Sequence, residues 1–390
     1  MGWRGDGSGC FPDASPVTSW STTKNVRWSV FVGSAHSSPI ITEKFVFVTS
    51  EPNTLIALDR FTGKECWRVQ TKPEDLADEK NRKVAAEYVL PKNGSGMAAA
   101  TPLTDGQRVY AVFANGIIRA VGMDGQSKWT AFIGAEQSTG YGRSSSPIIV
   151  GGKLIVHLTH LYAFDPATGK ELWRNTEAKS TYGTPARIRV AGSDLIITPA
   201  GDVVRVENGK GVASGIAQSQ HTTPLVLDDA VYFAERPLKA VRITANFIGE
   251  GLWEGEAPGE VFGSPLLHDG LLFVTTGQGE LFAFDTHSKE PQNPIIEGRA
   301  LFGEDEGAIP ITYSSITLAG KYLFLNSNKG DMVVLEASRD AKLVSKNSLP
   351  GGTGSSPVFS GNELFVRAGE KLYSIGPLHK SAPNRPAPKQ

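Results

Sequence analysis

Ala57–Trp67 reads ALDRFTGKECW, and Ala163–Trp173 reads AFDPATGKELW. In both, an apolar strand end runs into an Asp, a Thr-Gly turn and a tryptophan at one spacing. Glycine supplies the positive φ such a turn requires, Asp or Thr bonds the turn backbone, and the indole offers a large rigid apolar face. Looser versions stand at Met123–Trp129 (MDGQSKW) and Phe284–Glu290 (FDTHSKE). One unit is being copied, and the copies decide the fold.

Each copy opens on a small hydroxyl residue followed by an apolar strand. The openings are SSPIITEKFVFVTS from Ser37, ATPLTDGQRVYAVF from Ala100, SSPIIVGGKLIVHL from Ser145 and GTPARIRVAGSDLIIT from Gly183. They continue with TTPLVLDDAVYFAE from Thr222, GSPLLHDGLLFVTT from Gly263, SSITLAGKYLFLNS from Ser314 and SSPVFSGNELFVRA from Ser355. That makes eight copies, spaced by about 40 to 60 residues, the period of propeller blades. Within a copy a short strand, a tight polar turn and a second strand lead to a third, as in TLIALD, HLYAFD and ELFAFD. Several copies add a tryptophan-bearing fourth, at Trp67, Trp129, Trp173 and Trp253. The eighth copy stops after KLYSIG, while NVRWSVFV from Asn25, with Trp28, has no unit of its own. The pattern predicts an all-β, eight-bladed β-propeller of four-stranded antiparallel blades, its ring closed by the N-terminal strand. The expected organisation is an N-terminal extension over 1–23, one propeller over 24–377 with an insertion at 71–96, and a disordered Pro-rich tail over 378–390.

Composition excludes several functions. The 390 residues carry 39 basic and 40 acidic side chains, so no global charge attracts nucleic acid. No run of about 18 apolar residues exists to span a bilayer. Cys10 and Cys66 match no zinc, haem or disulfide-dense pattern, and could pair only if the fold brings them together. GxSxG, HExxH and Walker motifs are absent, as is the Gly-His with Trp-Asp pairing of WD repeats.

The D-x-x-T-G-K-x-x-W element at Asp59–Trp67 and Asp165–Trp173, with Gly63 and Gly169 in its turns, resembles the tryptophan-docking repeat of quinoprotein-type (PQQ-like) eight-bladed propellers. WRGDGSG at Trp3 and PKNGSGMAAATP at Pro91 are similar to bacterial secreted members, near the lipoprotein scaffolds of outer-membrane β-barrel assembly. The resemblance implies export to the periplasm or beyond, with a signal peptide removed from a chain whose opening has no apolar h-region; a cytoplasmic location is the alternative. It also raises the quinone question. Quinoprotein dehydrogenases carry adjacent cysteines over the cofactor and a calcium held by acidic and amide side chains. Cys10 and Cys66 are not adjacent and no dense Asp/Glu/Asn cluster is visible, so the expectation is no PQQ, no calcium and no other cofactor.

In a propeller, the loops entering the innermost strands and those between second and third strands share a funnel-shaped face. The first set places His36, Met97, Tyr141, Arg143, Tyr182, His221, Phe262 and Tyr313 there. The second places Glu51, Asn53, Asn115, His160, Asp202, Glu235, Arg236, Gln278, Asn328 and Lys329. This mixture suits an extended polar ligand or peptide. The bland reading is that the histidines bond nearby backbone and Arg143 braces the funnel. The insertion contains EDLADEKNRKVAAEYVL (74–90), whose helix formers predict a helix with Leu76, Val84, Ala85 and Leu90 as an apolar stripe. The expected function is a non-catalytic, monomeric scaffold binding protein segments or glycans. The alternative is a quinone- or metal-dependent oxidoreductase, or a polysaccharide-acting enzyme, using funnel His, Tyr and Arg. Convergence of His221, Arg143, Tyr141 and a carboxylate on one cavity favours chemistry; dispersal over a wide face favours binding.

Overall fold

Middle strands are continuous apolar runs because both of their faces are covered. Phe45–Ser50 and Thr54–Asp59 are buried along nearly their whole length, whereas the outer strand Glu65–Gln70 alternates exposed and half-buried residues. The computed structural model describes residues 1–136, 140–303, 311–352 and 354–377. The tail expected over 378–390 lies outside these residues.

Eight antiparallel sheets form the molecule. Blade 1 comprises Ile40–Ile41, Phe45–Ser50, Thr54–Asp59 and Glu65–Gln70. Blades 2 to 8 begin at Leu103–Thr104, Ile148–Val150, Ala186–Val190, Leu225–Leu227, Leu266–His268, Thr317–Ala319 and Val358–Ser360. There is no single core. Instead one apolar cluster fills each seam between neighbouring blades, as Val109, Ala111 and Phe113 of blade 2 meet Phe47, Leu55 and Ala57 of blade 1. The ring closes as expected: Val26–Phe31 pairs antiparallel with Lys371–Ile375 and becomes the outer strand of blade 8. Glu363 secures that closure, taking Arg27 from the added strand and Arg60 of blade 1 (2.7 Å) at once.

The recurrent motif works between blades. Indole N–H groups of Trp28, Trp67, Trp129 and Trp173 donate to the carbonyls of Arg60, Met123, Pro166 and Val206 in the next blade, at 2.9 to 3.0 Å. Each indole lies on a turn glycine of that blade: Gly63, Gly125, Gly169 and Gly209. A Cβ on Gly169 would come within 2.5 Å of Trp129, and its φ of +71° is left-handed, so both space and backbone demand glycine. Asp59 and Asp165 hold the turns by accepting from Thr62 N and Thr168 N (2.8 and 2.9 Å). Beyond blade 4 the contact changes. Arg205 lies 4.4 Å over Phe247, Trp253 stacks on Phe284 at 6.1 Å, and Arg339 pairs with Asp285.

Residues before 24 do more than extend the chain. Cys10–Phe11 adds a fifth, parallel strand to the inner edge of blade 7, and Thr104 N of blade 2 donates to Met1 O (2.8 Å). The segment therefore occupies the central channel from the underside. Cys10 is half-buried there and Cys66 is exposed on the outer strand of blade 1; both are free thiols. The insertion holds a shorter helix than expected, Glu79–Ala86, capped by Asp78 accepting from Asn81 N. Only Leu76 and Ala85 of the expected stripe are buried, against Ile117 and Phe132; Val84 is exposed. Pro91 disfavours helix before it, and the chain instead runs to blade 3, where Ser95 N donates to Tyr141 O (2.8 Å).

Candidate functional site: the funnel face

The hydroxyl that opens each copy closes the ring around the axis. The amides of Ser38, Thr101, Ser146, Thr184, Thr223, Ser264, Ser315 and Ser356 each donate to the hydroxyl of the next blade's counterpart, and Ser356 returns to Ser38. All distances fall at 2.9 to 3.0 Å. Ser or Thr is needed because only a short side-chain acceptor reaches the neighbouring amide.

Two residues before each hydroxyl, the side chain stands at the funnel mouth. From blade 1 to blade 8 that position holds His36, Ala99, Ser144, Tyr182, His221, Phe262, Tyr313 and Gly354. Blades 4 to 7 thus present a contiguous aromatic arc. Tyr182 and His221 stack at 5.1 Å with planes 2° apart; Phe262 meets His221 edge-on at 5.1 Å and Tyr313 at 5.2 Å. Tyr141, 6.0 Å from Tyr182, extends the arc, and its amide donates to the Tyr182 hydroxyl (3.1 Å). Tyr141 and Tyr313 are about half exposed, at 56% and 46%.

The second loop set braces the first. Glu51 accepts from the amides of Met97 and Ala98 (3.0 Å each), and Glu235 from those of His221 and Thr222. Asp202 takes the Lys179 amide and Asn328 the Ile311 amide. Expected among the ligand-facing groups, Glu51 and Glu235 are spent on backbone. Arg143 takes the bracing role of the two readings. It is buried, donating to Ala114 O (2.9 Å), Gly134 O (3.0 Å) and the Thr159 hydroxyl (3.0 Å), because a long cation can bridge carbonyls left unpaired between blades. Burial lowers its pKa, partly offset by Tyr88, Glu136 and Tyr162. Arg367, not singled out from the sequence, does the same at the closure seam with Gly33 O (2.7 Å) and Thr49 O (2.6 Å). His157 is wholly buried and faces Ala178 O, and His160 stands against Tyr162. His36 is exposed at the mouth, and Arg236 is exposed at the outer wall.

A cavity of about 2420 Å³ opens over the aromatic sector. It runs outward from Tyr182 and His221 across Asp202, Val204 and Ala213 of blade 4 to Arg236 and Lys239 of blade 5. Blade 4 leaves that room because its third and fourth strands, Val203–Arg205 and Gly211–Ala213, have three residues each, fewer than in any other blade. His221 lies 3.7 Å from Glu235, but that carboxylate already serves two amides. Arg143 is elsewhere, and Tyr141 and Tyr313 stand blades apart. The groups are dispersed along a wall, and they do not converge on one atom.

The model of the outer membrane protein assembly factor BamB family matches residues 17–241, more than half of the chain. The chain belongs to that family. The assembly factor BamB of Burkholderia pseudomallei is 22% identical over 389 residues, covering 90% of this chain and 88% of that protein. That of Yersinia pestis is 25% identical over 231 residues, covering 53% and 54%. Among solved structures, BamB from Moraxella catarrhalis shares the fold with a TM-score of 0.61 at 14% identity, covering 92% of this chain and 99% of that one. A europium-containing methanol dehydrogenase also shares it, with a TM-score of 0.62 at 12% identity, covering 93% and 88%.

The dehydrogenase likeness makes cation fit at the axis worth testing. Among the described residues, those around the hydroxyl ring include no Asp, Glu, Asn, Gln or Cys. Calcium needs six to eight oxygen ligands with carboxylates prominent, and a ring of neutral hydroxyls already engaged with amides does not match. No group of three or more His, Cys, Asp or Glu among the described residues could hold a metal. This donor set does not fit a calcium-bound quinone. No helix among the described residues is long and apolar enough to cross a membrane.

Proposed function

We propose that this protein is a non-catalytic, monomeric scaffold of the bacterial periplasm that binds extended protein segments through the aromatic sector of its funnel. The observation that carries this reading is the contiguous arc Tyr182–His221–Phe262–Tyr313 facing a 2420 Å³ cavity, opposite small residues at Ala99, Ser144 and Gly354. Rigid aromatic surface contributes binding energy at low entropic cost, and the bracing carboxylates preorganise it. Dispersal of the polar groups supports binding over chemistry. The relatives' description as outer membrane assembly factors supports a protein partner in that machinery.

Site-specific photo-crosslinking tests this. A photoreactive phenylalanine analogue at Tyr313 or Tyr141 is expected to capture one recurrent envelope polypeptide, and Tyr313→Ala to weaken its capture from position 141. The same probe at Phe61, exposed in the underside turn of blade 1, is expected to capture none. Equal capture from all three positions, or products consisting of glycan, would overturn the reading.

A further inference from the structure

The channel below the aromatic arc is blind. Arg4 donates to Pro265 O (2.9 Å) and Ile316 O (2.7 Å), Leu318 N donates to Gly9 O (2.9 Å), and Cys10–Phe11 pairs with blade 7. Gly9 is obligatory in this packing, since a Cβ there would stand 2.3 Å from the Arg4 guanidinium at a φ of +77°. Trp3 forms the floor of a small cup, about 140 Å³, walled by the hydroxyl ring and open to the larger cavity through Tyr182, His221, Phe262 and Tyr313.

Three features of the cup select charge of one sign. First, each ring hydroxyl accepts one amide and, among the described residues, donates to no protein acceptor. Their protons need an acceptor inside the cup. Second, no carboxylate lines it among the described residues. Third, a cation lies beneath it: Arg4 is completely buried, 5.2 Å from the Trp3 ring, and its Nε and Nη1 have no hydrogen-bond partner among the described residues. Asp6, the nearest acid acting on it, is exposed on the loop and spends Oδ1 on Ser8. Burial pulls Arg4 down to about 10, with Cys10 and Asp6 offsetting part of the effect, so it remains charged at neutral pH. A buried cation under a ring of hydroxyls with unused protons favours an anion above it.

We propose that the central cup is an oxyanion site that receives a carboxylate at the end of the bound ligand, so that the funnel reads a chain terminus. A blind cup of this size admits an end and excludes a continuing chain. The aromatic arc then packs the last side chain. This inference rests on the protein-segment reading for its ligand. The same chemistry could reach the site as the C-terminal carboxylate of a peptide or as a small free acid, and the test separates the two.

The full chain is titrated by fluorescence anisotropy into one labelled octapeptide, Ser-Gly-Ser-Val-Thr-Val-Ser-Tyr, prepared as the free acid and as the C-terminal amide. The acid is expected to bind at least tenfold more tightly, and Arg4→Met to reduce that ratio to below threefold while the amide is unaffected. A melting scan with phenylacetate forms the second arm. No shift at millimolar phenylacetate assigns the site to peptide termini. An Arg4-dependent rise without binding of either peptide assigns it to free acids and refutes the protein-segment reading alone. Equal affinity of acid and amide, with no phenylacetate effect, overturns the oxyanion site and leaves segment binding standing. Failure of both arms overturns both.

Discussion

From blade 8 round to blade 4, four successive seams place an indole on a turn glycine and seal it with an N–H···O bond; from blade 4 round to blade 8, no seam among the described residues repeats that contact. The funnel mouth diverges the other way. Small residues stand at blades 2, 3 and 8, and large aromatic ones at blades 4 to 7. Both sectors keep an apolar cluster in every seam, so the middle strands hold the ring whichever underside contact is used. A repeat whose core is supplied by middle strands can lose the docking tryptophan without losing the blade. The sector released from the motif is the one that carries the cavity.

The largest effect is expected in the sector that keeps the motif. His157, the last residue of blade 3's second strand, is buried, and loss of hydration pushes it down to about 4 from an ordinary 6.5. Its neutral form is the folded form. The unfolded chain binds the proton first, so stability is complete above pH 6.5, falls as pH drops towards 4, and loses no more below that. The loss from this group is about 3 kcal/mol, at about 1.36 kcal/mol for each pH unit between 6.5 and 4. Urea melts at pH 7, 5.5 and 4 on the wild type and His157→Gln check it; an equally steep dependence in the variant would refute the assignment.

Next come the seams themselves. The sequence alone suggests about 3–5 kcal/mol for truncating a docking tryptophan such as Trp173. These indoles are only partly buried, so Trp129→Ala or Trp173→Ala is expected to cost about 2–3 kcal/mol. Trp253→Ala, which forfeits stacking on Phe284 but no indole N–H bond among the described residues, should cost about 1–2 kcal/mol. Equal losses in denaturant melts would erase the distinction between sectors.

The hydroxyl ring should show no such distinction. Ser38→Ala strands the Ser356 amide, and Thr184→Val the Ser146 amide; each is expected to cost about 1–2 kcal/mol, the scale of a buried unsatisfied donor. A much larger cost for Ser38→Ala would show that the bond joining the two chain ends matters more than the others. Smallest are the mouth residues. Tyr141→Ala and Tyr313→Ala remove half-exposed rings and should change stability by less than about 0.5 kcal/mol. Their expected effect is on crosslinking and peptide affinity, which separates the binding arc from the frame.

Much of this architecture is readable from local pattern. Strand periodicity, turn residues and the tally of copies lead to eight blades, and the strand missing after Lys371–Ile375 points to Asn25 onward. The site was half legible. His36, Tyr182, His221, Phe262 and Tyr313 can be placed at the mouth because the repeat puts their loops there. Their contiguity stands in one column of the aligned copies, two residues before each hydroxyl. Glu51, Glu235 and Arg143 look like ligand groups on a loop, and nothing in their identity marks the backbone they bind. Arg143 and Arg367 are held by carbonyls that every residue carries.

The recurrence of ALDRFTGKECW determined the repeat, the blade order and the way the ring closes, because these follow from spacings of a few residues along one chain. Only the tertiary structure decided what each loop does. Radial convergence brings residues hundreds of positions apart to one axis, turns Ser and Thr into a closed ring of hydrogen bonds, and seats Trp3 and Arg4 beneath it. Those contacts depend on distances between blades, and no local pattern records them.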